Sequence, residues 1–295
     1  MIRVVDGKAE NVITDFPKDV YGKGPKYNVG PLGLLFIDKD TLVVGGGGLP
    51  DGEEMLRVYK IPETGKEAIK ADAMHGEAKM LPPADEVKGE GNFYALAKGA
   101  SGIYVTCNGD DTKGWVSMAT LDTENKLKDF TRTIATKEAE QSEKNKKEEI
   151  DMVDAPVAIT MSPEGYIVVG QMGEINVAGD SQLTFYDEKG IKLDNYEVGL
   201  HDITGLAYGP KAGRLFATDF NWLDTANGGL YKIVKTDDDK GCGAMLLAVL
   251  KKPTAMAFND KGDLYITLAG DNSEDTDMPD GKLVVLKGVD VEPEK

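Results

Sequence analysis

Polar residues and one tryptophan recur in this sequence at the ends of predicted strands, where side chains can meet a ligand. They are Glu90, Asn92, Asn108, Asp110, Asp154, Gln171, Glu174, His201, Asp202, Asp219, Asn221 and Trp222. Carboxylate and amide oxygens that converge are the ligands of a hard cation such as Ca²⁺. The adjacent His201 and Asp202 could act as a general acid and base, and Trp222 could stack on a sugar ring. These residues form the candidate site if the fold brings them together.

Five segments repeat one order of an apolar strand, a turn and a second apolar strand, and they set the positions of these polar residues. The segments are residues 30–48, 91–109, 154–173, 201–220 and 251–270. Counted from Leu34 to Met256, equivalent residues of successive segments are 61, 64, 47 and 50 positions apart. Repeats of this size, with about four strands each, are typical of propeller blades.

We predict an all-β protein, a six-bladed β-propeller with one incomplete blade, in a single domain of residues 1–295. Complete blades are predicted at residues 30–75, 91–134, 154–198, 201–249 and 251–291. Residues 1–16 are predicted to be two strands joined by a tight Asp6-Gly7 turn, and they form a half blade because no first and second strands precede them. The alternative is a five-bladed propeller closed by an N-terminal strand. Residues 135–153 are predicted to be a charged insert, either a solvated segment or a partial lid.

Propeller topology places the candidate residues on one face. The connections between blades and the loops between second and third strands emerge together, and these segments contain the candidate residues. The opposite face carries mostly short turns such as residues 162–165. Loops on a rigid scaffold commonly carry binding residues, so we predict that the polar face binds the ligand.

Four consecutive glycines, at residues 45–48, follow a predicted strand. A glycine-rich loop that binds phosphate usually opens a helix, and no helix is predicted after this run. We therefore expect the glycines to let the backbone turn away near the propeller axis.

The net charge of −17 makes nucleic acid an unfavourable partner, because a phosphate backbone would be repelled. No apolar run approaches the length of a membrane span. The start of the chain, MIRVVDGKAENV, lacks a basic region followed by an apolar one, so we expect no signal peptide in this chain.

The segments KPTAMAFNDKGDLYIT and DITGLAYGPKAGRLFATDF resemble the NHL-repeat and gluconolactonase-like members of the six-bladed, TolB-like propeller superfamily. Many such relatives are exported, so the resemblance implies an exported parent protein, periplasmic or extracellular. Gluconolactonase-like lactonases hold a divalent metal through a Glu in an E-G-P strand entry, an Asn and an Asp. Glu90-Gly91-Asn92 is the nearest match to that entry, with Asn92 in place of the proline. Asn108 or Asn221 would supply the amide and Asp219 the acid.

Two functions from different classes fit these features. The first is a non-enzymatic scaffold that presents an acidic, loop-rich face to a protein, a glycan or a small molecule, with Ca²⁺ or another divalent cation as a candidate structural ion. The second is a metal-dependent hydrolase of the lactonase type, with His201 or Asp202 as the base. Its metal ligands would be Glu90, Asn108, Asp154 and Asp219. The sequence contains no nucleophile elbow and no specific metal-site motif, which favours the scaffold.

Overall fold

The computed structural model describes residues 1–17, 19–21, 27–46, 53–80, 91–108, 114–136, 155–236, 241–270 and 281–291. The chain divides into two compact units, Met1–Ala135 and Thr136–Lys295. Nearly all regular structure in the described ranges is β-strand. No helix in these ranges has the length and apolar character needed to cross a membrane.

The first unit contains two four-stranded antiparallel sheets. Its strands are β1 (Ile2–Val5), β2 (Lys8–Asn11), β3 (Ile13–Thr14), β4 (Asp19–Tyr21), β5 (Tyr27–Val29), β6 (Leu34–Phe36), β7 (Thr41–Gly45), β8 (Met55–Lys60), β9 (Ile69–Lys70), β10 (Gly76–Lys79), β11 (Gly91–Lys98), β12 (Ile103–Asn108), β13 (Gly114–Leu121) and β14 (Leu127–Ala135). Sheet I has the order β10-β8-β7-β6, and sheet II has the order β11-β12-β13-β14. The strands β1 and β2 form a hairpin, as do β4 and β5, and β3 pairs with β9 in parallel.

Sheets I and II share one apolar core, because alternate residues of each strand face the neighbouring sheet. Leu56 and Val58 of β8 pack in the same cluster as Phe93 of β11 and Phe130 of β14. The rings of Phe93 and Phe130 meet edge to face, with their centroids 5.1 Å apart. All five residues of β7 are buried, because its other face is also covered.

The prediction of six blades is wrong, and the residues of the predicted half blade show why. The Asp6-Gly7 hairpin forms as expected, but within the described chain β1 and β2 pair only with each other. Val12 and Ile13, which follow the hairpin, are buried against Leu42 and Tyr59 of sheet I. The N-terminal residues therefore support the first sheet, and they do not begin another one.

The second unit contains three further sheets. Its strands are β15 (Ala155–Met161), β16 (Ile167–Met172), β17 (Gln182–Tyr186), β18 (Lys192–Glu197), β19 (Ile203–Tyr208), β20 (Leu215–Asp219), β21 (Gly229–Lys235), β22 (Cys242–Val249), β23 (Pro253–Phe258), β24 (Leu264–Leu268) and β25 (Lys282–Leu286). A 3-10 helix (Trp222–Asn227) lies between β20 and β21. Sheet III has the order β15-β16-β17-β18, sheet IV the order β19-β20-β21-β22, and sheet V the order β23-β24-β25.

The turn between β15 and β16 is fixed by local side-chain chemistry. The Ser162 hydroxyl accepts hydrogen bonds from the backbone N–H groups of Glu164 (3.2 Å) and Tyr166 (3.1 Å). Gly165 has φ of 93°, a value that glycine adopts without strain. Side chains that bond their own backbone in this way favour a turn over a longer strand, so β15 ends at Met161, directly before the predicted turn at residues 162–165.

The chain therefore has five successive blade sheets, four with four strands and one with three among the described residues. This number confirms the five blades of the alternative, but closure by an N-terminal strand is not seen, because β1 and β2 pair only with each other in the described chain. From residue 137 onward, the predicted charged insert lies outside the described residues.

Candidate binding site in the second unit

The structure describes most of the candidate side chains of the second unit. These are Gln171, Glu174, His201, Asp202, Asp219, Asn221 and Trp222. Glu90, Asp110 and Asp154 lie outside the described residues, and of Asn108 only the strand position is described. Asn92 belongs to the first unit, where its backbone N–H donates to Glu54 Oε1 (3.2 Å).

Asp219 organises the centre of the site. It ends β20 and is fully buried. Its Oδ1 accepts hydrogen bonds from the backbone N–H groups of Asp202 (2.8 Å) and Asn221 (3.1 Å), and its Oδ2 accepts one from His201 (3.1 Å). One carboxylate thus holds the segment before β19 and the segment after β20 together.

Asp202 binds the backbone of the segment that follows β20. Its Oδ2 accepts a hydrogen bond from the backbone N–H of Trp222 (2.6 Å), while its buried Oδ1 has no donor among the described residues. Burial raises the pKa of Asp202 to about 6, the Trp222 N–H lowers it, and the nearby Asp219 carboxylate raises it. The carboxyl group is only 2% exposed, so its charged form is held at a cost in stability.

A second loop, between β16 and β17, is fixed to the same segment. The N–H of Gly173 donates to the carbonyl oxygen of His201 (3.3 Å), and the N–H of Glu174 donates to Asp180 Oδ2 (2.9 Å). The Asp180 carboxylate occupies the space where a side chain at position 173 would lie, so glycine is required there. Asp180, which the sequence analysis did not select, therefore shapes this loop.

Gln171 lies in a buried polar network, in which its side-chain Oε1 has no donor among the described residues. It is fully buried in β16, and its amide Nε2 donates to Thr184 Oγ1 (2.8 Å). The Ser181 hydroxyl donates to the Gln171 carbonyl oxygen and accepts from the Ile203 N–H (3.1 Å). The structure thus places Gln171 in the support of the two loops.

Both loops expose large apolar side chains. Ile175 and Val177 in the β16–β17 loop are 57% and 49% exposed, and Trp222 and Leu223 after β20 are 47% and 53% exposed. We call these four residues the apolar ridge. The Trp222 ring rests on the buried Phe220 ring, with their centroids 4.3 Å apart.

The segment that carries Trp222 has a defined turn. Asn221 adopts a left-handed conformation with φ of 54°, and its side-chain oxygen accepts from the Asp224 N–H (3.0 Å). Asparagine tolerates this conformation better than most residues. With Asp202 and Asp219 bonding the same segment, the exposed Trp222 is held on an ordered backbone.

Comparisons with known proteins identify the fold. No protein-family model and no curated protein matches the sequence. The PQQ-bound aldose sugar dehydrogenase of Streptomyces coelicolor is 12% identical, with a TM-score of 0.51 over 91% of this chain and 83% of that chain. The chain has a β-propeller fold. At this identity the similarity concerns the fold alone.

Two other solved propeller-like matches are weaker. The Dos1 propeller is 13% identical, with a TM-score of 0.47 over 85% of this chain and 57% of that chain. A protein proposed to be a gluconolactonase is 10% identical, with a TM-score of 0.47 over 82% of this chain and 72% of that chain. Similarities below a TM-score of 0.5 carry no argument about this propeller.

Glu90, Asp154 and the side chain of Asn108, three of the four metal ligands proposed for a lactonase-type hydrolase, lie outside the described residues. Within the described ranges, no group of three or more His, Cys, Asp or Glu side chains could hold a metal ion. Both oxygens of Asp219, the proposed acid ligand, accept hydrogen bonds from backbone N–H groups. Asp219 therefore serves to order the loops.

Replacing Asp202 with asparagine should stabilise the propeller at pH 8 and have little effect at pH 4. The folded-state pKa of about 6 lies above the ordinary value of 3.8, so the stabilising protonation is lost as the pH rises through 6. A pKa shift of this size lowers the free energy of unfolding by about 3 kcal/mol at high pH. Asparagine stays neutral and keeps an oxygen for the Trp222 N–H. Urea denaturation at both pH values measures the difference.

Asp263→Asn provides a control of opposite sign. The Gly288 N–H, the Asn259 amide and Lys287 hold the pKa of Asp263 below its ordinary value. Its charged form therefore stabilises the fold above the unfolded pKa, and the asparagine variant should be destabilised more at pH 8 than at pH 4. If Asp202→Asn changes the free energy of unfolding equally at both pH values, ionisation of the buried carboxyl group does not destabilise the fold.

Proposed function

We propose that this protein is a non-enzymatic binding propeller that recognises a polypeptide partner through the apolar ridge. The supporting observation is the exposure of Ile175, Val177, Trp222 and Leu223 on two loops that are both fixed to the His201-Asp202 segment. Exposed apolar side chains with a polar surround are typical of protein-binding surfaces, and tryptophan is common among residues that dominate binding energy.

The buried acids support this proposal through the order that they impose on the loops. Asp219 and Asp202 accept four backbone hydrogen bonds from the two segments flanking β19 and β20. A surface that is ordered before binding loses less conformational entropy when the partner arrives.

The net charge of the protein indicates which charge its partner carries. With a net charge of −17, the protein attracts a partner that carries basic residues around an apolar centre. A glycan stacked on Trp222, or a small apolar molecule, would use the same ridge with a different pattern of contacts.

Selection from a random peptide library tests the proposal. Peptides with apolar and basic residues should be enriched by the wild-type protein. Their affinity should fall at least about 100-fold for a variant with Ile175, Val177, Trp222 and Leu223 changed to serine, as removal of several dominant contacts requires. The control variant Met245→Ser/Leu247→Ser removes exposed apolar side chains from β22 and should bind normally. Binding lost in the β22 variant and kept in the ridge variant would contradict the proposal.

A second candidate function, hydrolysis of the lactonase type, is favoured by one observation. Asp202 is a buried carboxyl group with a pKa near 6, and it lies beside His201, whose buried Nδ1 has no hydrogen-bond partner among the described residues. Groups of this kind are suited to acid–base chemistry. Lactone hydrolysis that is lost in Asp202→Asn and in His201→Ala would support this candidate and overturn the non-enzymatic proposal. The assignment to the NHL-repeat or gluconolactonase-like branch rests on the sequence motifs alone.

A further inference from the structure

The first unit contains a buried arginine that has no counter-charge among the described residues. Arg57 lies in β8, the second strand of sheet I from its outer edge, and is 7% exposed. Among the described residues its guanidinium makes no ion pair and no hydrogen bond. A guanidinium stays protonated at every pH that a protein experiences, so it cannot escape the cost of burial by losing its charge.

No described carboxylate forms an ion pair with Arg57. Glu77 stands directly across from it on β10, but the exposed Glu77 side chain forms no ion pair with it in the described chain. Tyr59 lies two residues along the same face of β8, and its hydroxyl donates to the carbonyl oxygen of Ala71 (2.8 Å). Burial raises the pKa of Tyr59 to about 12, while the nearby positive charge of Arg57 lowers it and Asp72 raises it. The guanidinium is therefore close to the phenol, yet it has no acceptor there.

A glycine opens space beside the guanidinium. A Cβ atom at position 46 would lie 3.6 Å from Arg57 Nη1. The Gly46 backbone is held in place, because its N–H donates to the Met55 carbonyl oxygen (3.2 Å) and its own carbonyl oxygen accepts from the Phe93 N–H (2.9 Å). Gly46 belongs to the glycine run at residues 45–48, of which Gly45 and Gly46 are described. Gly46 therefore lies beside the guanidinium of Arg57.

Sheet III shows that the fold does not require a charge at this position. Thr184 of β17 is equivalent to Arg57, because each is paired with the second valine of a Val-Val-Gly segment. Thr184 is neutral and fully partnered: it accepts from the Gln171 amide (2.8 Å) and donates to Asn195 Oδ1 (2.6 Å). The residue at the equivalent position of sheet III is thus satisfied by its neighbours, and Arg57 differs from it.

We propose that Arg57 binds an anionic oxygen group of a small ligand, a carboxylate or a phosphate, beside Gly46 in the first unit. The planar guanidinium offers parallel N–H donors that match both kinds of oxyanion. The bound anion supplies the missing counter-charge. In a protein with a net charge of −17, general electrostatics repel anions, so binding depends on this local group. None of the residues of this site belongs to the apolar ridge.

Thermal denaturation with inorganic phosphate and, separately, with acetate tests this site, with sodium chloride holding the ionic strength constant. At a saturating concentration, one of the two anions should raise the Tm of the wild-type protein by several degrees, since a ligand that binds only the folded state stabilises it. The anion that gives the larger shift identifies the ligand class. Arg57→Met should show no shift with either anion, while its Tm without added anion should equal or exceed that of the wild type.

Arg3→Met is the matched control, because Arg3 is paired with Glu10 and donates to the carbonyl oxygens of Pro62 (2.7 Å) and Glu63 (2.6 Å). Its response to the anions should match that of the wild type. If Arg57→Met does not fold, Arg57→Lys replaces it, and the anion affinity measured by calorimetry should fall at least about tenfold, because lysine lacks the fork of donors. No shift in the wild type, or equal anion responses in the wild type and the Arg57 variant, would overturn the proposal.

Discussion

Asp219→Ala is expected to lower the free energy of unfolding by about 4 kcal/mol, because it leaves buried backbone N–H groups without acceptors. Asp219 is fully buried, and its two oxygens accept from the N–H groups of His201, Asp202 and Asn221. Alanine removes all three bonds and adds no replacement. Urea denaturation followed by circular dichroism measures the loss.

Asp187→Ala is the matched control for this prediction. Asp187 Oδ1 also accepts from backbone N–H groups, those of Lys189 and Ile191 (both 2.9 Å), but it does so in a turn that water reaches. Water can satisfy these donors in the variant, so the expected loss is about 1 kcal/mol or less. Similar losses in the two variants would show that Asp219 does not act as the buried anchor of the site.

Phe93→Ala, in the first unit, should lower the free energy of unfolding by a similar amount, about 3–5 kcal/mol. Phe93 is fully buried between sheets I and II, and its ring packs edge to face on Phe130. Alanine removes this contact and leaves a cavity that the surrounding strands cannot fill, since Gly33 and Gly46 are bonded to the backbone of residue 93. Thermal and urea denaturation both report this change.

Phe36→Ala tests whether this effect comes from burial. Phe36 lies in β6 and is 54% exposed, so its removal should cost about 1 kcal/mol or less. A loss from Phe36→Ala as large as that from Phe93→Ala would contradict the assignment of the core of the first unit.

The strands were predictable because their signals are local. The alternation of apolar residues and the turn at Ser162 act over a few residues, and the same interactions appear in the structure. The number of blades was less predictable. A hairpin at residues 1–16 has the same local pattern whether it belongs to a further blade or supports an existing one, and only the burial of Val12 and Ile13 in sheet I decides between them.

The meeting of the buried acids was predictable from the strand repeat. The prediction was incomplete, because it did not include Asp180 or Arg57. His201, Asp202 and Asp219 meet because the start of β19 pairs with the end of β20, an arrangement that the repeat implies. Asp180 was missed because its role depends on a contact with Gly173 across a loop. Arg57 was missed because its strand has an ordinary apolar pattern, and the absence of a counter-charge among the described residues is visible only in three dimensions.

Fluorescence of Trp222 tests the central claim, recognition through the apolar ridge, most directly. Trp115 is the other tryptophan of the chain, so Trp115→Phe makes Trp222 the single reporter. Titration with a selected apolar and basic peptide should shift the Trp222 emission to shorter wavelength and saturate at the affinity measured by calorimetry, because the half-exposed ring becomes buried. Saturable binding by calorimetry with unchanged Trp222 emission would place the partner elsewhere and contradict the account.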